Sequence, residues 1–252
     1  MSQVRQTVVI VGLGEVGKPL FEIIKTQHEV FGVDIDLAAP LKRCDVMHVC
    51  FPFRDGKFAD QVVEYIGRYQ PALTIINSTV APGTSRRIAG ASGAAIVNSP
   101  VRGKHARMQE EMLHYTKFIG ALDPESGARA AQHFESVGIK TKVLASPEAS
   151  EIAKLTETTY FGLMIAWAQE VERYCKEVGA DYNEVVSFYE EIKFFPPVKY
   201  LPGVIGGHCV MPNINILLQR FSSGLLEAIA HSNKLKEKSL GQEGWRTWEP
   251  GQ

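Results

Sequence analysis

The 252-residue sequence has no excess of charge of either sign: 27 lysines and arginines stand against 28 acids, a net charge of −1. That balance gives no electrostatic case for nucleic acid or for an acidic membrane surface as a partner. No apolar run approaches the ~20 residues that a membrane helix needs. The chain enters a strand almost at once, without the charged, apolar and cleavable pattern of a signal peptide, so a cytoplasmic location is expected. The four cysteines, Cys44, Cys50, Cys175 and Cys209, form no CxxC pair and no Cys/His cluster at zinc spacing. Reduced thiols and no metal are the expectation. Cys50 lies in an apolar strand-like run and reads as core; Cys175 lies in a helical stretch and reads as structural. What remains is an ordinary soluble composition, 45% hydrophobic and 22% charged, with length for one large domain or a dinucleotide-sized domain and a smaller one.

The hydrophobic pattern points to alternating strands and helices. Val8–Val11 is a continuous apolar run, the sign of a strand buried on both faces. Apolar residues at Val16, Leu20, Ile23 and Ile24 then recur at helical spacing, and Glu29–Val33 reads as a second strand ending in Asp34. Further strands are expected at Val46–Phe51, Leu73–Ile76, Ala94–Val97, Lys117–Ile119 and Lys142–Leu144. Helices are expected at Asp55–Tyr69, from Pro82-Gly83-Thr84 to about Ala89, and at Pro124–Val137. This alternation predicts an α/β fold with a Rossmann-like, doubly wound, mostly parallel sheet.

The composition changes near Ser146. Pro147–Val178 is one long run of helix formers, with proline at its start and Gly179 able to close it. Asp181 can cap a second helix reaching about Glu191, and Pro212–Ile229 reads as a third. The expected organisation is a Rossmann domain over 1–146, a smaller all-helical domain over 147–240 and a flexible tail over 241–252. The long helix carries Trp167 and Val171 and is apolar enough to pair with a second copy, giving a homodimer. Phe188, Tyr189, Phe194 and Phe195 read as dimer or interdomain packing.

Two loops carry chemistry. Gly12-Leu13-Gly14-Glu15-Val16-Gly17 follows the first strand and opens the first helix, the context in which GxGxxG binds a dinucleotide. Gly12 would make the tight turn, Gly14 would admit the pyrophosphate, and Gly17 would let helix and strand pack closely. Asp34, at the end of the second strand, would take the ribose hydroxyls and repel a 2′-phosphate, which favours NAD over NADP; Asp36 competes for that role. The second loop runs from Pro202-Gly203 to Gly206-Gly207-His208-Cys209. Glycines before a cysteine let the backbone approach a ligand and present the thiol as a candidate nucleophile. His208 either tunes that thiol or satisfies a backbone carbonyl.

Three segments resemble the UDP-glucose/GDP-mannose dehydrogenase family, in the family's order and over about residues 5 to 215. Asn77–Thr84 is similar to its STVxPGT segment, Glu151–Glu157 to its ExAKLxEN helix, and Pro202–Pro212 to its PGxGxGGHCIP loop. The resemblance implies oxidation of the primary alcohol of a sugar or nucleotide sugar to a carboxylate with two NAD. It implies that Cys209 captures the aldehyde as a thiohemiacetal and then carries a thioester that water releases. Lys154 would stabilise the developing oxyanion. Ser78 and Thr79 would lie near the nicotinamide, and Glu15, Val16 and Pro52 join the cofactor-binding set. Arg102, Lys104 and His105, in a basic run with Arg107, are candidates to bind a substrate phosphate or carboxylate, with Gly206 and Gly207 beside them.

The sequence departs from the family's pattern at named positions. The asparagine four residues after the lysine is Thr158 here, and the aspartate four residues after the cysteine is Asn213; both stay in the candidate catalytic set. An amide hydrogen-bonds but does not act as a general base. Pro100 is followed by Val101 where the family has glutamate, with Glu110 and Glu111 as possible replacements. The family's third, nucleotide-binding domain has no counterpart in these residues, and the link from Asp36 to Asp45 lacks the usual insertion. Two alternatives stand beside four-electron oxidation. One is an NAD-binding protein with two-electron or regulatory activity. The other is a 3-hydroxyacid dehydrogenase, which also uses a helix lysine but leaves Cys209 unexplained.

Overall fold

The computed structural model describes residues 5–35, 37–54, 56–103, 107–189, 191–192, 200–207 and 209–240. The expectations placed on Asp36, Asp55, Lys104, His105, Phe194, Phe195, His208 and the 241–252 tail lie outside the described residues. The chain divides into two compact units, Met1–Lys154 and Leu155–Gln252.

In the first unit, β1 (Thr7–Val11), β2 (Glu29–Val33), β3 (Val46–Val49), β4 (Leu73–Ile76), β5 (Ile96–Asn98), β6 (Lys117–Ala121) and β7 (Thr141–Leu144) form a seven-stranded sheet. Its order is β2-β1-β3-β4-β5-β6-β7, parallel except where β5 meets β6. The sheet alternation sorts β1 between two cores. Val8 and Ile10 pack with Leu20, Ile23 and Ile24 of α1 (Gly17–Ile24) and with Ala130 and Phe134 of α5 (Pro124–Glu135). Val9 and Val11 pack with Phe58, Val62 and Ile66 of α2 (Phe58–Tyr69) and with Ile88 of α3 (Thr84–Ser92). Both faces are covered, which is why the strand is apolar at every position. The reversal at β1, with β2 on one side and β3 on the other, puts the topological switch point at the carboxyl ends of β1 and β3, where such sheets bind ligands.

A chain of polar groups, buried at Asn77, His48, His133 and His28, crosses the α5 side of this sheet. Asn77 Nδ2 donates to His48 Nδ1 (3.0 Å), His48 Nε2 to His133 Nε2 (2.9 Å), and His133 Nδ1 to the Gln6 side-chain oxygen (2.6 Å). The Gln6 amide N–H then donates to His28 Nδ1 (3.3 Å), and His28 Nε2 to the Ser136 hydroxyl (2.7 Å). The bonds close with every ring neutral, one nitrogen donating and the other accepting. Burial enforces that state: it holds His133 down at about 3 and His48 well below the usual histidine range.

In the second unit, α6 (Pro147–Val178, from Leu155 on), α7 (Tyr182–Ser187), α8 (Val210–Arg220) and α9 (Gly224–Leu240) pack around Leu155, Ile165, Val210, Ile214, Leu217 and Ile229. Gly162 is where α6 meets α8: a Cβ there would stand 2.6 Å from Val210 Cγ1. Asp181 caps α7 as expected, its carboxylate accepting from Glu184 N–H at 3.0 Å.

The structure differs from the sequence-based expectation at three places. The stretch expected as one helix over Pro212–Ile229 is two, because Phe221 turns extended (φ −126°, ψ 131°) and Ser223 starts α9 by accepting from Leu226 N–H. Helix α4 (Met108–His114) was not anticipated; Met108 and Met112 bury it against the α1–α5 core. The units divide at Lys154 and not at Ser146, because the first two turns of α6 are bound to the sheet. Gly120 of β6 shows the closeness, since a Cβ there would meet Ser146 O at 2.5 Å and Pro147 Cα at 2.6 Å.

Candidate active site

The first unit assembles the glycine loop, Asp34 and the strand-end residues at the switch point. Gly12 has φ +91°, and a Cβ on it would lie 2.8 Å from Phe51 N at the end of β3. Gly17 is closer still: its Cβ would sit 1.7 Å from Gly12 O, so helix α1 and the turn can meet only without a side chain there. Gly14 differs from both. Nothing lies within 4 Å of the Cβ it lacks, so no neighbour in the fold explains that glycine. It stands at a helix start, where N–H groups favour anions. Val16 is the N-cap of α1, and Glu15 is exposed beside it.

Asp34 stands at the end of β2, exposed, with Oδ2 accepting from Leu13 N–H (3.0 Å) and Oδ1 from Ile35 N–H (2.9 Å). The carboxylate is thus held against the glycine loop. Pro52 is exposed after β3. Ser78 ties the ends of β3 and β4 together, its hydroxyl donating to Phe51 O at 2.7 Å, while Thr79 is half-buried after it. Arg102 is half-buried beyond β5, its guanidinium 5.2 Å from the Tyr115 ring and 5.8 Å from the Phe118 ring.

Lys154 is half-buried and closes the first unit, on α6. The turn that carries it is bound once to the sheet and once to the start of α3. Ser150 Oγ donates to Asn98 Oδ1 at 2.6 Å. Glu151 accepts from Gly83 N–H (2.7 Å), Ser85 N–H (2.9 Å) and Ser85 Oγ–H (2.7 Å).

The second unit holds the thiol. Cys209 is exposed and is the N-cap of α8, where the helix end favours negative charge; Cys44 and Cys175 are buried and Cys50 is partly so. Burial also pushes the Cys44 and Cys50 thiols up to about 12, which leaves them inert. Gly207 has φ +74°, and neither it nor Gly206 has anything within 4 Å of a hypothetical Cβ. Upstream the loop is pinned by two buried amides. Gln169 donates to Gly203 O at 2.7 Å, and Asn233 accepts from Ile205 N–H at 2.7 Å. Asn213 and Thr158, 55 residues apart, are brought together: the buried amide donates to the Thr158 hydroxyl at 2.7 Å.

Sequence reasoning missed the roles of Glu151, Ser150, Gln169 and Asn233. In the sequence Glu151 is only a motif letter, an acid three residues before the candidate Lys154; its burial shows only in the structure. It also missed Lys117, 5% exposed, whose amine donates to Ser99 O at 2.6 Å and is pulled by burial down to about 7.

The central domain of the UDP-glucose/GDP-mannose dehydrogenase family matches residues 148–234. The chain is 24% identical over 253 residues to UDP-N-acetyl-D-mannosamine dehydrogenase of Methanocaldococcus jannaschii, covering 81% of this chain and 59% of that one. It therefore spans less than two thirds of that relative's length. The solved structure of a UDP-D-ManNAc dehydrogenase from Pyrococcus horikoshii superposes with a TM-score of 0.80 at 19% identity, over 94% of this chain and 70% of that one. That of 3-hydroxyisobutyrate dehydrogenase from Mycobacterium tuberculosis gives 0.73 at 15% identity, over 94% of both chains. At these identities the superpositions speak for the α/β fold. The likeness to the UDP-glucose/GDP-mannose dehydrogenase family thus rests on a match to its central domain over residues 148–234 and on relatives at 24–28% identity.

Proposed function

We propose that this chain is an NAD-dependent dehydrogenase that oxidises the primary alcohol of a sugar nucleotide through Cys209. The observation that carries the proposal is the exposed thiol at the start of α8, after two glycines with open space at their Cα atoms, in a chain whose other thiols are wholly or partly buried. Gly12, Gly14, Gly17 and Asp34 would hold the cofactor, with Glu15, Val16, Pro52, Ser78 and Thr79 around it. NAD supplies an acceptor for the pair of electrons and the hydrogen leaving the alcohol carbon. UDP-N-acetyl-D-mannosamine, from the relative's name, is the first substrate to try.

The chain's residues divide the work as follows. Cys209 adds its sulfur to the aldehyde carbon, and Lys154 stabilises the oxyanion that forms. Oxidation of that adduct gives a thioester on Cys209; water then breaks the carbon–sulfur bond, releasing the acid and the thiol. The balance is one alcohol and one water to one acid, with two NAD reduced. Arg102 supplies positive charge for a substrate phosphate or carboxylate. Asn213, with its amide donated to Thr158, orients and does not take protons. That hydrogen bond is also the observation behind the second reading, a two-electron dehydrogenase or a non-catalytic NAD-binding role.

Initial rates of NADH formation test the proposal. Turnover of UDP-N-acetyl-D-mannosamine or a related nucleotide sugar supports it. Turnover of 3-hydroxyisobutyrate with none of nucleotide sugars would overturn it. The glycine loop gives a second expected result: Gly14→Ala leaves the fold stable to within about 0.5 kcal/mol and weakens NADH about tenfold or more. Gly17→Ala, facing a backbone oxygen 1.7 Å away, loses both stability and binding. Urea titration and NADH fluorescence separate the two.

A homodimer through the long helix belongs to the same proposal. Tyr160, Trp167 and Tyr174 are about half exposed and recur every seven residues on α6, the spacing of a helix-pairing seam. Trp167→Glu is expected to shift the protein to monomer in light scattering; an unchanged mass would place the interface elsewhere. No helix among the described residues is long and apolar enough to cross a membrane; residence in the cytoplasm, with the NAD pool, completes the reading.

A further inference from the structure

We infer that Glu151 is a positioning residue that locks the cofactor-side loop Asn77–Ser85 to the helical turn presenting Lys154. The inference rests on the proposed role of Lys154. Helix α3 begins at Gly83, which has no side chain to cap it and sits at φ +90°. The cap comes instead from 66 and 68 residues away, as the Glu151 carboxylate takes the N–H of Gly83 and of Ser85 and the Ser85 hydroxyl. A local serine or aspartate at the N-cap would satisfy those donors at far less cost. Glu151 is 1% exposed, and its burial pushes its pKa up even with three donors pulling it down. A buried carboxylate is an expensive way to cap a helix. What it adds over a local cap is a fixed relation between two elements.

Those elements are the two that the chemistry has to keep in register. Upstream of Gly83 the loop carries Ser78 and Thr79, and Ser78 is itself fastened to the end of β3. Downstream of Glu151, one turn along α6, is Lys154. Ser150 fastens the same turn to the end of β5 through Asn98, and Gly120 lets the turn lie flush on β6. Ser150 sets the height of the turn on the sheet; Glu151 sets its relation to the cofactor-side loop.

The test uses Glu151→Ala and the isosteric Glu151→Gln, each in wild-type and Lys154→Ala backgrounds, with UDP-N-acetyl-D-mannosamine as probe substrate and NADH as probe ligand. Gln keeps an acceptor for Ser85 but turns an N–H toward that of Gly83, so it serves if Ala does not fold. A misplaced lysine is expected to lower kcat on the order of 10²-fold in the wild-type background, and by less than about twofold when Lys154 is already gone. KM for the sugar changes little. NADH affinity, which needs no substrate, falls in both backgrounds. Equal kcat losses in the two backgrounds, or a loss of thermal stability with kcat and NADH affinity unchanged, would overturn the inference while leaving Lys154 catalytic. A fully active Lys154→Ala protein would instead overturn the role of Lys154, and the inference with it.

Discussion

Cys209→Ala is expected to abolish formation of the acid, on the order of 10³-fold or more, while NADH binding and thermal stability stay at wild-type values. The thiol is exposed at the start of α8 and is not part of the apolar core there, which is built by Leu155, Ile165, Val210, Ile214 and Leu217. Under the proposed route, removing it takes away the exposed thiol that would hold the substrate between the two oxidations, since Cys44 and Cys175 are buried and Cys50 is partly so. Lys154→Ala is expected to cost less, about 10²-fold in kcat, as for the loss of one oxyanion partner. Quenched-flow product analysis distinguishes them: the cysteine variant stops before the acid, and the lysine variant still makes it slowly. Wild-type acid production by Cys209→Ala would remove the covalent route.

The second large effect is acid instability. His133 is neutral in the folded chain down to about pH 3, through burial, whereas in the unfolded chain it protonates near 6.5. Between those values the unfolded state binds more protons, so stability is complete above about pH 6.5 and is lost as pH falls toward 3. The loss reaches on the order of 5 kcal/mol for this one ring, a large part of the 5–15 kcal/mol that usually separates folded from unfolded domains. His48 adds to it in the same direction. Lys117 does not imitate the effect. Its amine, pulled down to about 7, opposes folding below its ordinary pKa of 10.5, and that cost is constant below pH 7. Its signature is a gain in stability as pH rises from 7 to 10.5. Urea midpoints at pH 7, 5.5 and 4 should therefore fall steeply in the wild type and less steeply in His133→Gln, which keeps an amide in the chain but cannot be charged. Parallel lines for the two proteins would contradict the neutral-histidine chain.

The parts legible in the sequence are those fixed by local pattern. Val8–Val11 announced a strand buried on both faces because every position is apolar, and the structure distributes those positions between two cores. The glycine loop was legible because it lies between a strand and a helix; in the structure packing accounts for Gly12 and Gly17 and not for Gly14. Helix α6 was bounded correctly at Pro147 and Val178 by its proline start and glycine stop. Apolar spacing continues across Ser222-Ser223-Gly224, so periodicity hides the break there, where turn chemistry outweighs it. Long-range polar partnerships were not legible. His48 meets His133 across 85 residues, and Glu151 meets Ser85 across 66. Asn213 reads as a lost aspartate and Thr158 as a lost asparagine; only the fold shows that they pair with each other.

The most direct test of the whole reading is the stoichiometry of cofactor reduction with limiting UDP-N-acetyl-D-mannosamine and excess NAD. Oxidation through a thioester on Cys209 predicts two NADH per sugar nucleotide consumed and a uronic acid as the product. One NADH per sugar nucleotide, with an aldehyde or ketone accumulating, would contradict it.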